Sequence, residues 1–236
     1  MMREAAIHPL LGSVALADAA AGHAPSGRIG VLHGADKASR VRAARLRARL
    51  VASGMESLEV TPLEARWRRE TLRGSGVDLL VDAGGFGPAE ARRIAAFAGV
   101  PLLALPAGSA EASGTSHPVI GLHAGRRLAS VALGRVELRP PRNGSGLVSV
   151  SLDGVRFQVR DRERLRVSLV GRGGASQLAG AVLGVTAVIY RGVELTAEAV
   201  GGLGSLEADG RPVEPAEDAV TCRAMRERLR VLPVAR

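Results

Sequence analysis

The chain is poor in aromatics, cysteine and lysine, and each shortage excludes a class of activity. Phe, Tyr and Trp together make up 2% of its 236 residues. Stacking of bases on aromatic platforms is therefore not its main activity, and no specific nucleic-acid partner is expected. The single cysteine, Cys222, excludes an intrachain disulfide and a cysteine zinc cluster. Of 32 basic residues only Lys37 is lysine, and Asp36 rather than glycine precedes it, so there is no GxxxxGK[ST] phosphate loop. No apolar run reaches the roughly 18 residues of a membrane-spanning helix. The Ala-rich stretch from Met1 to Gly27 is interrupted by His8, Pro9 and Asp18. It predicts a loosely ordered N-terminal extension rather than a secretory leader, with the cytoplasm as the default location.

What is present is an ordinary globular composition, 46% hydrophobic and 23% charged, in a length that suits one large domain or two small ones. The net charge of +9 is carried almost wholly by arginine. It favours anionic partners: a nucleotide, nucleic acid, or an anionic lipid or membrane surface at which the protein would sit peripherally.

From Arg28 to about Leu122, short apolar runs alternate with helical stretches. Arg28–His33, Ser57–Val60, Val77–Ala83 and Val100–Leu105 read as strands. Ala38–Ser53, Pro62–Leu72 and Pro88–Ala98 read as helices, the last two opened by proline in the first turn. Strands alternating with helices imply a parallel sheet covered by helices. After about Gly125 the period changes to two, in Ala129–Leu138, Leu147–Leu152, Leu165–Val170 and Val193–Val200, with Asn143-Gly144, Asp153-Gly154 and Asp209-Gly210 as turns. Gly174–Leu183 predicts one helix within this region. The expected organisation is an extension over 1–27, an α/β domain over 28–124 and a mostly antiparallel β-sandwich domain over 125–236, its last strand returning toward the first domain.

Two glycine loops carry the functional signal. Asp82-Ala83-Gly84-Gly85-Phe86-Gly87-Pro88 follows one strand and opens a helix. Glycine lets the backbone approach a ligand closely, and a helix N-terminus suits phosphate. In an open α/β sheet this is the ligand-binding edge. A plain βα turn is the alternative. Pro106-Ala107-Gly108-Ser109-Ala110-Glu111-Ala112 follows the next strand and could present an N–H and a hydroxyl to the same ligand.

The order strand, GGxG, helix, "VPLLALP" strand and P-x-G-[ST] resembles the diacylglycerol kinase catalytic family, whose fold is related to that of the NAD kinases. Leu206–Pro212 and the closing "RLRVLPV" are similar to that family's final turn and strand, so the resemblance runs in order from residue 28 to 236. It implies an α/β domain followed by a β-sandwich domain, ATP bound between them, and magnesium-assisted transfer of the γ-phosphate to a lipid hydroxyl. Gly84, Gly85, Phe86, Gly87, Gly108, Ser109 and Glu111 would then contact the nucleotide.

The departures bear on catalysis. Phe86 stands where the family has the aspartate of GGDGT, Pro88 replaces its threonine, and Ser109, Glu111 and Ala112 replace Thr, Asn and Asp of P-x-GTxND. The Asp-Gly-Glu turn reads Asp209-Gly210-Arg211, and His33-Gly34-Ala35-Asp36-Lys37 replaces the N-P-x-[SA]-G signal. Phosphoryl transfer needs a carboxylate for the hydroxyl proton and oxygen ligands for magnesium, and phenylalanine supplies neither. Asp82 is the first substitute, two residues before Gly84, with Glu90, Glu111 and Asp209 also near these loops. Three readings stay open: a lipid kinase with Asp82 or Asp209 as its carboxylate, a degenerate relative that binds nucleotide or lipid, and an NAD kinase-like enzyme.

Other residues read more plainly. Arg40, Arg42, Arg45, Arg47 and Arg49 form two helical stripes, either solvated or facing an anionic surface, and Arg223, Arg226, Arg228 and Arg230 share that ambiguity. His33 is either a loop histidine or a phosphate contact. His117 and His123 lack a third ligand at metal spacing, so no metal site is read. Cys222 reads as a buried structural thiol.

Overall fold

The computed structural model describes residues 8–24, 27–61, 72, 75–104, 115–141, 147–170, 176–184, 188–199, 203–214, 218–232 and 234. The chain divides into two compact units, Met1–His117 with Arg228–Arg236, and Pro118–Glu227.

The first unit is built on a sheet of order β2–β1–β3–β4–β18–β5. Its strands are β1 (Arg28–Leu32), β2 (Glu56–Val60), β3 (Leu79–Asp82), β4 (Leu102–Leu103), β18 (Leu229–Leu232) and β5 (Thr115–His117). β2, β1, β3, β4 and β18 run parallel, and β5 closes the edge antiparallel to β18. The apolar runs of β1 and β3 are buried along their length, as expected of strands covered on both faces. Helix α2 (Lys37–Ala52) buries Ser39, Ala43, Leu46 and Leu50, a stripe at helical spacing that packs with Ile29, Val31, Leu79 and Val81 of the sheet. Helix α3 (Pro88–Ala98) buries Ala91, Ile94, Ala95, Ala96 and Ala98, and ends at Gly99 in the left-handed conformation.

Helix α1 (His8–His23) corrects the expectation of a loose extension. Its Leu16, Ala17 and Ala20 enter the same core as Leu46 and Leu50. Alanine is the strongest helix former, and its small side chain lets two helices approach closely, which outweighs the polar interruptions of this stretch. The helix expected over Pro62–Leu72 lies outside the described residues except for Leu72, which is buried. Among the described residues no helix is long and apolar enough to cross a membrane.

The second unit is two antiparallel six-stranded sheets sharing one core, in the orders β10–β9–β14–β17–β6–β7 and β13–β12–β11–β8–β15–β16. Strands β6 (Ile120–Ala124), β7 (Arg127–Ala132), β9 (Val148–Leu152), β10 (Val155–Val159), β14 (Glu194–Glu198) and β17 (Ala219–Ala224) form the first. Strands β8 (Arg135–Arg139), β11 (Arg164–Val170), β12 (Gln177–Leu183), β13 (Val188–Gly192), β15 (Ser205–Ala208) and β16 (Arg211–Val213) form the second. Val148, Val150, Leu152 and Leu195 from one meet Leu138, Leu165, Val167 and Leu178 from the other. Cys222 lies in this core, and burial pushes its thiol up to about 12, so it is an inert structural residue.

Two sequence expectations are corrected here. Gln177–Leu183 is strand β12, not part of a helix. It lies between β11 and β13, where a period of two puts Leu178 and Val182 inward and leaves Gly180 against Leu195. Two partner strands override the local preference of Ala and Leu. Ala129–Leu138 is likewise not one strand. It breaks at Leu133-Gly134, where the chain crosses from β7 in the first sheet to β8 in the second.

Candidate functional site

The carboxyl ends of β1 and β3 lie side by side, paired in register from Ile29↔Leu79 to Leu32↔Asp82. The loop after each strand therefore emerges at the same sheet edge, the ligand-binding edge of an open α/β sheet. The β3 loop holds Gly84 at φ +90° and Gly85 at φ +88°, two consecutive residues in a conformation that side chains resist. Helix α3 begins immediately after it. Its N-cap residue, Gly87, supplies no side-chain hydrogen bond, and Phe86 is half-buried.

The β1 loop locks onto the β3 loop. Gly34 N–H donates to the Gly84 carbonyl at 3.0 Å, and a Cβ on Gly34 would stand 2.5 Å from the Gly85 carbonyl oxygen. Asp36 caps α2 by accepting from Ser39 N–H at 2.8 Å, and its other oxygen takes the Ser39 hydroxyl at 2.6 Å. The Ser39 hydroxyl, then the Ser39 N–H, hold the Asp36 carboxyl below the usual range. Arg42, one turn into α2, donates from Nε to the Ala83 carbonyl at 2.9 Å. Side chains of opposite charge thus cover the two glycines. The position of a Cβ on Gly84 is 2.7 Å from Arg42 Nη2, and that on Gly85 is 2.5 Å from Asp36 Oδ2.

Asp82 ends β3 and accepts from Gly84 N–H at 2.7 Å. Burial raises its carboxyl above the usual range, against the opposing pull of the Gly84 N–H and the Arg42 charge. A carboxylate with raised proton affinity at a ligand edge is suited to general-base work.

Gly108, Ser109 and Glu111 lie outside the described residues. Asp209 is in the second unit, in the turn between β15 and β16, where its carboxylate accepts the N–H groups of Leu133, Gly134 and Arg135. His33 is buried at 3% exposure. Its Nδ1 lies 2.7 Å from the Gly34 carbonyl and its Nε2 lies 2.6 Å from Glu59, so it braces the β1 loop from beneath. Arg47 binds the other oxygen of Glu59. Sequence reasoning missed Asp36 and Ser39 and placed Arg42 only in a basic stripe. Asp36 carried one usable signal, an aspartate two residues ahead of the helix expected from Ala38, close to where a capping residue belongs.

Among the described residues no group of three His, Cys, Asp or Glu side chains is placed to hold a metal ion. Phe86 and Ala112 stand at the positions where the lipid-kinase resemblance expects carboxylates. The residues present do not fit that magnesium set.

No family model matches the chain, and no curated protein matches it by sequence. Solved structures do match. The NAD kinase from Archaeoglobus fulgidus in complex with ATP superposes with a TM-score of 0.52 at 13% identity, covering 88% of this chain and 94% of that one. Yeast NADH kinase complexed with NADH gives a TM-score of 0.49 at 11% identity, over 88% and 84% of the two chains. On the archaeal likeness, an α/β unit with a parallel sheet followed by antiparallel sheets, the chain has an NAD kinase-like fold.

Proposed function

We propose that the glycine loop at Gly84–Gly87 holds the phosphate chain of ATP and that the chain is a phosphotransferase acting on a hydroxyl acceptor, with Asp82 as the base. The observation that carries this reading is the pair of left-handed glycines at the carboxyl end of a parallel strand, directly ahead of α3. There a phosphate meets backbone N–H groups and the positive end of the helix dipole. The fold is shared with an NAD kinase solved with ATP, which favours a nicotinamide dinucleotide as the acceptor. A lipid hydroxyl is the second reading, favoured by the P-x-G-[ST] loop at Pro106–Ser109, where Gly108, Ser109 and Glu111 would complete the nucleotide contacts. We assign Asp209 a structural role, because three N–H groups already engage its carboxylate.

The test is calorimetric titration with ATP, followed by transfer of labelled γ-phosphate to NAD+, NADH and diacylglycerol vesicles. Asp82→Asn is expected to lower turnover by at least about 100-fold while leaving ATP affinity within a few-fold. Absence of ATP binding at several millimolar would sink the reading. Binding without transfer to any acceptor would reduce it to a nucleotide-binding module.

A further inference from the structure

Phe86 stands in the glycine loop where the resembling family has an aspartate, whereas an arginine that no motif predicts is held there. Arg42 Nε is anchored on the Ala83 carbonyl. This fixes the plane of the guanidinium and leaves Nη2 on the side of Gly84 where a side chain would otherwise project. Among the described residues that anchor is the only hydrogen bond the structure gives Arg42. Its charge is felt by both neighbouring carboxylates, Asp36 and Asp82. A planar guanidinium whose remaining N–H groups bond to none of the described residues, fixed over a glycine loop, matches the bidentate geometry of a phosphate. Asp36 faces the adjacent glycine with the opposite charge, so an anion entering the loop is drawn to the Gly84 side and repelled from the Gly85 side.

We propose that Arg42 is the cationic contact for a di- or triphosphate ester at the glycine loop, and that this loop binds its anion without a divalent metal. The inference rests on the nucleotide reading above and adds the residue that takes over the charge neutralisation. Arg42 is a binding residue and is assigned no proton transfer.

The full chain is titrated with ATP, and separately with inorganic tripolyphosphate, in excess chelator and again with magnesium. The expected result is binding in chelator, weakened at least about 10-fold by Arg42→Ala and partly restored by Arg42→Lys. Arg45→Ala, an exposed arginine on the same helix, is expected to leave affinity unchanged. Asp36→Asn keeps a good helix cap and removes the repelling charge, so it is expected to tighten binding about 3-fold. A loop merely loosened by substitution would not bind more tightly. Thermal melts of each variant confirm folding. Binding that appears only with magnesium, an Arg42→Ala protein that binds like the parent, or weakening by both Arg42→Ala and Asp36→Asn overturns the inference and leaves the nucleotide reading standing. No binding under either condition overturns the nucleotide reading itself, and the inference with it.

Discussion

The glycine turn of the parallel-sheet unit and the Asp-Gly turns of the sandwich use the same residue types and dispose of their carboxylates differently. Asp153 and Asp209 both take positive φ, 46° and 51°, and each is followed by a glycine. Asp209, between β15 and β16, accepts three N–H groups at the crossing from β7 to β8. Asp153, between β9 and β10, accepts from Val193 and Glu194, where the chain crosses from β13 to β14. Both crossings lead from one sheet to the other, so each aspartate staples a corner of the sandwich. Among the described residues, Asp82 accepts only the N–H of Gly84 at the sheet edge. A carboxylate saturated by backbone donors is a structural part. One with a single donor and a raised proton affinity is available for chemistry.

That contrast can be broken in order of expected effect. Gly85→Ala puts a Cβ against Asp36 and Gly34 at a positive φ, so it is expected to cost about 2–3 kcal/mol and to abolish ATP binding, read by urea denaturation and calorimetry. Asp209→Ala strands three N–H groups and is expected to cost about 2 kcal/mol with ATP affinity retained. Loss of binding in that folded variant would return Asp209 to the list of functional residues.

Asp82→Asn gives a smaller effect whose sign is diagnostic. Burial raises this carboxyl in the folded state, so the folded protein holds the proton more tightly than the unfolded chain. Its contribution to stability therefore falls as pH rises from the ordinary aspartate range, about 4, through the raised value, and is constant above it. The asparagine variant should be more stable than the parent at pH 7, with the gap closing as pH drops toward about 4. Equal urea midpoints at both pH values would mean that Asp82 is not desolvated. Gly87→Ala should change least, about 0.5–1 kcal/mol from the poorer helix cap, because its site has no atom within 4 Å of a new Cβ and its φ of −66° suits any residue.

Glu137 shows how the sandwich treats a buried acid. Burial opposes its charge, but the hydrogen bond and charge of Arg166, then Arg164 and Arg135, hold it below the usual range. Its contribution is present above the ordinary glutamate range and lost as pH falls through the lowered value.

The alternating runs of the α/β region and the period-two runs after residue 125 were legible because burial on two faces and on one face leaves different patterns. The failures have local causes. Gln177–Leu183 has the residues of a helix and the partners of a strand. Leu133-Gly134 turns a corner inside a run that reads as one alternating strand, held by an aspartate 74 to 76 residues away. At the candidate site, Gly84 and Gly85 announced themselves, since few residues other than glycine serve there. Asp36 announced only its capping role, and Arg42 did not announce itself, because its bond to the Ala83 carbonyl spans 41 residues and no local pattern encodes it.

Strand β18 carries a consequence for synthesis. It lies between β4 and β5, so the sheet that positions the glycine loop has a vacant slot until residues 229–232 have left the ribosome. The sandwich receives its last interior strand, β17 at Ala219–Ala224, only a few residues earlier. The unit that starts first in the sequence is therefore completed last, and a translation product stalled within the sandwich would present an unpaired parallel edge at β4.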